Sequence, residues 1–415
     1  ADAGAGGGAG GTPTPAGNGT PAGGAPKPEE WFFGAQVPLT PQLFKVFSSN
    51  CMRRSFWPTP INKVPPAGYP RLAAGKETLR DLKEDRVLRV LAVTWNMHAK
   101  PPPDDMSELV PRDQYHIVVV GSCECERSIA ASAVLTSKEK WEARITELMG
   151  GNYVKIRSHA LQAIHEIAFV HKSVNKLVTD IQSAAVACGV GNTLGNKGGV
   201  GISFTFDNTS FLFVSCHLAA HQNHVEARNA DFHRINNQLP LWPSHGLHRL
   251  GPVSERFDRV VWLGDMNYRI NGSRKMVDRL LADDMHEVLH FNDQLRIERA
   301  KKAVFDGFSE GPLHFRPTYK FDKDSATYDS SGKNRVPSWT DRILYRSLHS
   351  ATIVLKRYES LDDIRTSDHR PVVAAFEMEL EDVADKGGDD ATSEAEAKSK
   401  PEEATRGGAG GGAAS

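Results

Sequence analysis

Between Arg86 and Leu380 the chain carries nine short apolar runs of strand length, each bounded by turn residues, and this punctuation constrains the fold more than any other feature. They read VLRVLAVTWN, YHIVVVGS, AIHEIAFVH, VGISFTF, FLFVSCHL, RVVWLGD, DRILYRS, ATIVLKRYES and RPVVAAFEME. Helical periodicity is confined to Ser137–Gly150, His224–Gln238 and Lys275–Lys301. The pattern predicts one strand-rich α/β domain over 86–380, with no internal repeat.

Polar residues recur where these runs end. The stretch VVWLGDMNYRI stops its apolar run on Gly264, then presents Asp265 and, one residue further on, Asn267. A carboxylate at the end of a buried strand costs several kcal/mol unless something pairs with it. LAVTWN likewise ends on Asn96, IVVVGSCECE on Glu124 and Glu126, and FLFVSCHLAAH on His217 and His221; TSDHRPV sets Asp368 and His369 before the last run. Taken singly, such residues read as turns, caps or satisfied core histidines, except Asp265 with Asn267 and Asp368 with His369. Together they predict that several strands deliver their ends to one rim of a sheet.

Carboxylates with amides and no cysteine cage make an oxygen-donor site suited to a hard cation such as Mg²⁺, completed by water and substrate phosphate. A serine activated by a histidine is the competing reading, and the expected nucleophile is water. The anion-binding side lies in His314–Arg346, a Gly/Ser/Pro-containing loop with seven basic residues against four acidic ones, threaded with Tyr319, Tyr328 and Trp339. The glycine-rich GVGNTLGNKGGVG lacks the spacing of a dinucleotide or P-loop motif, since Gly198 follows Lys197 where Ser or Thr is required. It reads as a loop that brings backbone and Lys197 to an anion, which disfavours ATP hydrolysis.

A formal charge of −1 means that any attraction to an anion must come from such a local patch. Five scattered cysteines argue against a disulfide framework and fit a reducing, intracellular setting; Cys123 and Cys125 lack the second pair that a zinc site needs. Residues 1–30 are mostly Gly, Ala and Pro, and 381–415 are mostly Glu, Lys, Ala and Gly, so both read as disordered tails. Residues 31–85 read as an extended aromatic and Pro-rich segment followed by a short helix. No apolar run approaches membrane-spanning length, and the chain begins on Ala1 rather than Met, which reads as processing or as a fragment of a longer chain.

The motifs TWN, NKGGV, CHLAAH with RNADF, WLGDMNYR, FRPTYKFD, PSWTDRILYR and SDHRPV together resemble the inositol polyphosphate 5-phosphatase family of the endonuclease/exonuclease/phosphatase superfamily. The resemblance implies a two-sheet β-sandwich flanked by helices, a deoxyribonuclease-I-like four-layer sandwich, with its site at one end. It implies Mg²⁺ held by Glu124, helped by Asn96 and Asp368. Asp265 would take a proton from the attacking water that Asn267 positions. His369, oriented by Asp341, and His217 would stabilise phosphate oxygens. Tyr319, Lys320, Lys333 and Arg335 would grip the neighbouring 4-phosphate, with Lys197 near the phosphates. Two departures stand out: Cys123 precedes Glu124 where the family commonly has Gln, and Thr340 replaces a frequent Cys, a change expected to matter little. Glu126 is a rival for Glu124, because strand alternation puts both on one face.

The implied partners are a phosphoinositide lipid or a soluble inositol polyphosphate, with peripheral membrane contact and no nucleic acid. The implied location is the cytoplasm, with recruitment to the cytosolic face of membranes. Two rivals remain: a nucleic-acid phosphodiesterase on the same scaffold, and an inactive phosphoinositide-binding module.

Overall fold

Apolar side chains on both faces of the central runs force them to the middle of layers. In β1 (Val87–Asn96), Val90 and Ala92 point into one hydrophobic cluster, whereas Leu91, Val93 and Trp95 point into another. The computed structural model describes residues 69–72, 76–125, 138–189, 196–244, 250–348 and 352–381. Residues 1–30, 31–68 and 382–415, together with Glu126 and part of the glycine-rich loop, lie outside the described residues.

The first sheet adds to β1 the strands β2 (Ile117–Cys123), β3 (Tyr153–Leu161) and β4 (Ile164–His171). The second holds β5 (Val178–Ala187), β6 (Gly198–Phe206), β7 (Thr209–His217), β8 (Arg259–Asp265), β9 (Ser309–Glu310) and β10 (Asp341–Ser347). The chain then returns to the first sheet as β11 (Ile353–Ser360) and β12 (Val372–Glu379). The strand orders are β11-β12-β1-β2-β4-β3 and β5-β6-β7-β8-β10-β9. Each sheet has one parallel pair at its centre, β1 with β2 and β7 with β8, and the other pairings are antiparallel.

Between the sheets, Val90, Ile117 and Val119 meet Phe204, Phe211, Phe213, Val261 and Leu263. Helix α1 (Lys76–Asp85) adds Leu82 to that core, so the folded unit starts before Arg86. On the outer face of the first sheet, α2 (Glu139–Met149) packs Trp141 and Ile145. Helix α3 (Val225–Gln238) does the same for the second sheet with Phe232 and Ile235. Four layers result, as the motifs implied.

The single helical stretch expected over Lys275–Lys301 is three helices, α4 (Arg274–Ala282), α5 (His286–Phe291) and α6 (Gln294–Ala300). Local capping breaks it: Asp284 takes a left-handed φ of 55° after α4, and the Asp293 side chain accepts from the Arg296 N–H to start α6. Arg342 on β10 then ties this insertion to the sheet, reaching Asp293 at 3.0 Å and Glu310 at 2.6 Å. The C-terminal boundary also moves, because Glu381, assigned to a tail, is buried and pairs with Arg259 at 2.8 Å.

Gly264 explains why the β8 run stops where it does. Its φ is +142°, and a Cβ there would sit 2.1 Å from the Cys216 carbonyl oxygen of β7. The strands therefore close to a distance that only glycine permits, immediately before Asp265. Gly264→Ala is expected to cost roughly 3 kcal/mol of stability, from backbone strain and overpacking together. Denaturant unfolding that left the midpoint unchanged would contradict this account.

Candidate active site

Strand register assembles the site. Gly198, His217, Asp265 and Asp341 are successive partners across β6, β7, β8 and β10. On the first sheet Asn96 pairs with Cys123, and the chain enters β12 just after Asp368 and His369. The carboxyl ends of all four parallel strands thus lie at one rim. The two sheets touch there, because Asn96 Nδ2 of β1 donates to Asp265 Oδ2 of β8 at 3.0 Å.

Asp265 is 2% exposed. Its Oδ1 accepts from the Asn267 backbone N–H at 3.1 Å, and His217 Nε2 lies 3.3 Å from Oδ2. Burial opposes its ionisation, but the contact with His217 and the charges of His217, His369 and Lys197 outweigh it and hold the carboxyl below the usual carboxylate range. Lys197 Nζ in turn meets His217 Nε2. Burial lowers the Lys197 pKa, an effect that Asp265 and Glu124 partly offset.

A second group stands beside the first. His369 Nδ1 lies 2.9 Å from Asp341 Oδ2, which also accepts from Thr318 at 2.7 Å and Thr340 at 2.8 Å. Burial disfavours the imidazolium, yet Asp341, Asp265 and Asp368 raise the His369 pKa to about 9. Thr340 is accordingly more than a filler, since its hydroxyl donates to the carboxylate that holds His369. The Tyr319 ring lies 4.5 Å from the His369 ring.

The third group is Glu124, Asp368, Lys320 and His98. Glu124 follows β2 in a left-handed turn with φ 53°, so the strand alternation invoked for Glu124 and Glu126 does not apply at this position. Its side chain is 15% exposed, with His98 at 3.9 Å. Among the described residues no donor hydrogen-bonds the Glu124 carboxylate. Asp368 Oδ2 accepts from Lys320 at 2.7 Å, and Oδ1 lies 3.6 Å from His98. Lys320 thus sits on a carboxylate rather than standing free. Arg335 lies 3.6 Å from Asp329, and among the described residues none forms an ion pair with the exposed Lys333.

Among the described residues the Glu124 carboxylate accepts no hydrogen bond, and His98 Nδ1 lies 3.9 Å from it and 3.6 Å from Asp368, so the two carboxylates flank one imidazole and offer the hard oxygen donors that a divalent cation takes. Among the described residues Asn96 Oδ1 accepts from the His98 N–H alone, at 3.0 Å. A tighter cluster, with ligand atoms within 4.8 Å of one another, is Asp265, Asp341 and His369. Its carboxylates raise the His369 pKa, so the imidazole favours its protonated form.

The strand ends announced most of these residues. Arg269 and His98 did not stand out, although both lie two residues beyond a singled-out amide, Asn267 and Asn96, which was the available signal. Thr318 carried none, because its partner Asp341 is distant in sequence.

The profile of Endonuclease/Exonuclease/phosphatase family 2 matches residues 93–375. Phosphatidylinositol polyphosphate 5-phosphatase type IV of Rattus norvegicus is 34% identical over 322 residues, which are 74% of this chain and 48% of that protein. The chain therefore spans about half the length of that relative. Type IV inositol polyphosphate 5-phosphatase 11 of Arabidopsis thaliana is 34% identical over 70% of this chain and 82% of its own. The crystal structure of the inositol polyphosphate 5-phosphatase domain of SPsynaptojanin, in complex with inositol (1,4)-bisphosphate and calcium, superposes with TM-score 0.62 at 28% identity, covering 78% of this chain and 98% of that one. With the sandwich, the rim and these matches in agreement, the chain belongs to the inositol polyphosphate 5-phosphatases of the endonuclease/exonuclease/phosphatase family.

Proposed function

We propose that this protein is a Mg²⁺-dependent phosphatase that removes the 5-phosphate of phosphoinositides or soluble inositol polyphosphates by in-line attack of water. The observation that carries the reading is Asp265, a buried carboxylate kept ionised at the meeting of two sheets, beside a His369 imidazole that favours its protonated form. One group can receive a proton from water while the other stabilises negative charge on the phosphoryl oxygens. In this reading the chain acts in the cytoplasm and reaches lipid substrate from the cytosolic face of a membrane. No helix among the described residues is long and apolar enough to cross one.

Each group has a share in the chemistry. Asp265 accepts the proton, a role worth about 10² to 10⁴ in rate, so most of the acceleration must come from charge and placement. His217, His369 and Lys197 face the developing charge. Tyr319, Lys320, Lys333 and Arg335 hold the phosphate next to the scissile one, and Lys320 exchanges Asp368 for that phosphate. Glu124, Asn96 and Asp368 would hold the divalent cation, which when bound supplies Lewis-acid polarisation of a phosphoryl oxygen.

Three outcomes are expected. Asp265→Asn keeps the side-chain shape and should lower kcat by about 10³-fold with thermal unfolding little changed; near-wild-type phosphate release would remove Asp265 from the role of base. Lys333→Ala and Arg335→Ala should each raise KM roughly tenfold for substrates with a 4-phosphate, about the loss of one charge-assisted contact. An equal rise for substrates lacking that phosphate would refute the grip. Chelation should abolish turnover, and Glu124→Gln should weaken Mg²⁺ binding in calorimetry by at least the ~10-fold that loss of even an outer-sphere partner costs. Unchanged Mg²⁺ affinity would place the cation elsewhere.

A further inference from the structure

The Asn267 side chain has little freedom left. Its Nδ2 donates to the Leu218 carbonyl oxygen at 3.1 Å, and its Oδ1 accepts from Arg269 Nη2. Arg269 Nε also donates to the Asn267 backbone oxygen at 3.0 Å, so the guanidinium grips one residue at two points. A primary amide offers two N–H donors and one oxygen acceptor. With one oxygen lone pair taken by Arg269 and one N–H by Leu218, one N–H and one lone pair remain, and the amide cannot flip without losing both contacts.

Arg269 is itself held in place. It is 6% exposed, and its backbone N–H donates to Gln294 Oε1 at 2.9 Å. Gln294 Oε1 also accepts from Arg228 Nη2 at 2.6 Å, and Arg228 has no exposed surface. The Arg269 guanidinium lies over the Tyr319 ring, 4.3 Å from its centroid, and Tyr319 stacks beside His369. Among the described residues no carboxylate stands within ion-pair distance of Arg269. The partners of this buried cation are thus an amide oxygen, a carbonyl oxygen and an aromatic face, all belonging to the site.

We infer that Arg269 is a positioning residue that locks the Asn267 amide as a hydrogen-bond donor beside Asp265 and braces it against Tyr319. The consequence is directional. Asn267 presents its free N–H in one fixed direction to the oxygen of a water or of a phosphoryl group, and Asp265 is the acceptor for the proton of the attacking water. Loss of the guanidinium would free Oδ1, allow the amide to turn, and leave Tyr319 without its cover. This inference rests on the hydrolytic reading of the site, which the test must be able to separate from it.

The test compares Arg269→Met, Arg269→Lys, Asn267→Ala and the double variant Arg269→Met/Asn267→Ala, using Mg²⁺-dependent phosphate release from a soluble inositol polyphosphate. Arg269→Met should lower kcat by on the order of 10²-fold with KM within about threefold, and Arg269→Lys should recover part of the loss. The double variant should be no more than about threefold worse than Asn267→Ala alone, because both changes remove the same donor. Losses that multiply, or a change in KM alone, would overturn the inference. Should Arg269→Met fail to fold, Arg269→Lys carries the same cycle. A second readout needs no turnover: the Asn267 side-chain amide resonance, identified by its disappearance in Asn267→Ala, should exchange its hydrogens at least about tenfold faster in the Arg269 variants. Equal exchange would reject the positioning role even if the wild-type protein released no phosphate, an outcome that would instead reject the hydrolytic reading.

Discussion

Asp265 carries its charge with only 2% of its surface exposed, and the compensation it needs comes from both halves of the sandwich. Asn96 approaches from the first sheet, while His217 and the Asn267 backbone approach from the second. Burying such a charge unpaired costs several kcal/mol, so the sheets must meet in one register at this rim. The parallel pairs β1/β2 and β7/β8 bring four strand ends to that point, and Gly264 lets β8 lie close enough to β7 for the row to line up.

Charge around this point is graded. On one side Asp341 raises the His369 pKa, with two threonine hydroxyls donating to the same carboxylate. On the other side the half-buried Lys197 meets His217 near Asp265. Glu124 and Asp368 stand further out, with Lys320 already on Asp368. A carboxyl held in its ionised form, an imidazole that favours its protonated form and two further carboxylates therefore coexist within one rim, the first two kept in their states by neighbours rather than by solvent.

Much of this was legible in the chain. The nine apolar runs correspond to β1, β2, β4, β6, β7, β8, β10, β11 and β12, because strands covered on both faces leave long apolar signatures. Strands β3 and β5 escaped notice. Both lie at sheet edges, carry residues such as Lys155, Arg157 and Asp180, and contain register shifts that interrupt alternation. The helical stretch after β8 was readable in type but not in its breaks, which depend on Asp284 and Asp293. At the site, strand-end polar residues were conspicuous. The pairing of Lys320 with Asp368, the Thr340 hydroxyl on Asp341 and the Arg269 grip on Asn267 were not, because each is a product of side-chain direction rather than of spacing.

The Arg259–Glu381 pair at the start of β8 bears on how the protein can be trimmed. Arg259 has no exposed surface, and it also donates to the Glu379 carbonyl oxygen at 2.8 Å. A shortened version ending at Leu380, the last buried apolar residue of this run, would strand that guanidinium in the interior without its anion, at a cost of about 3 to 5 kcal/mol. The autonomous folding unit therefore reaches at least Glu381, past the last hydrophobic strand residue, and expression boundaries set by hydropathy alone would fall short of it.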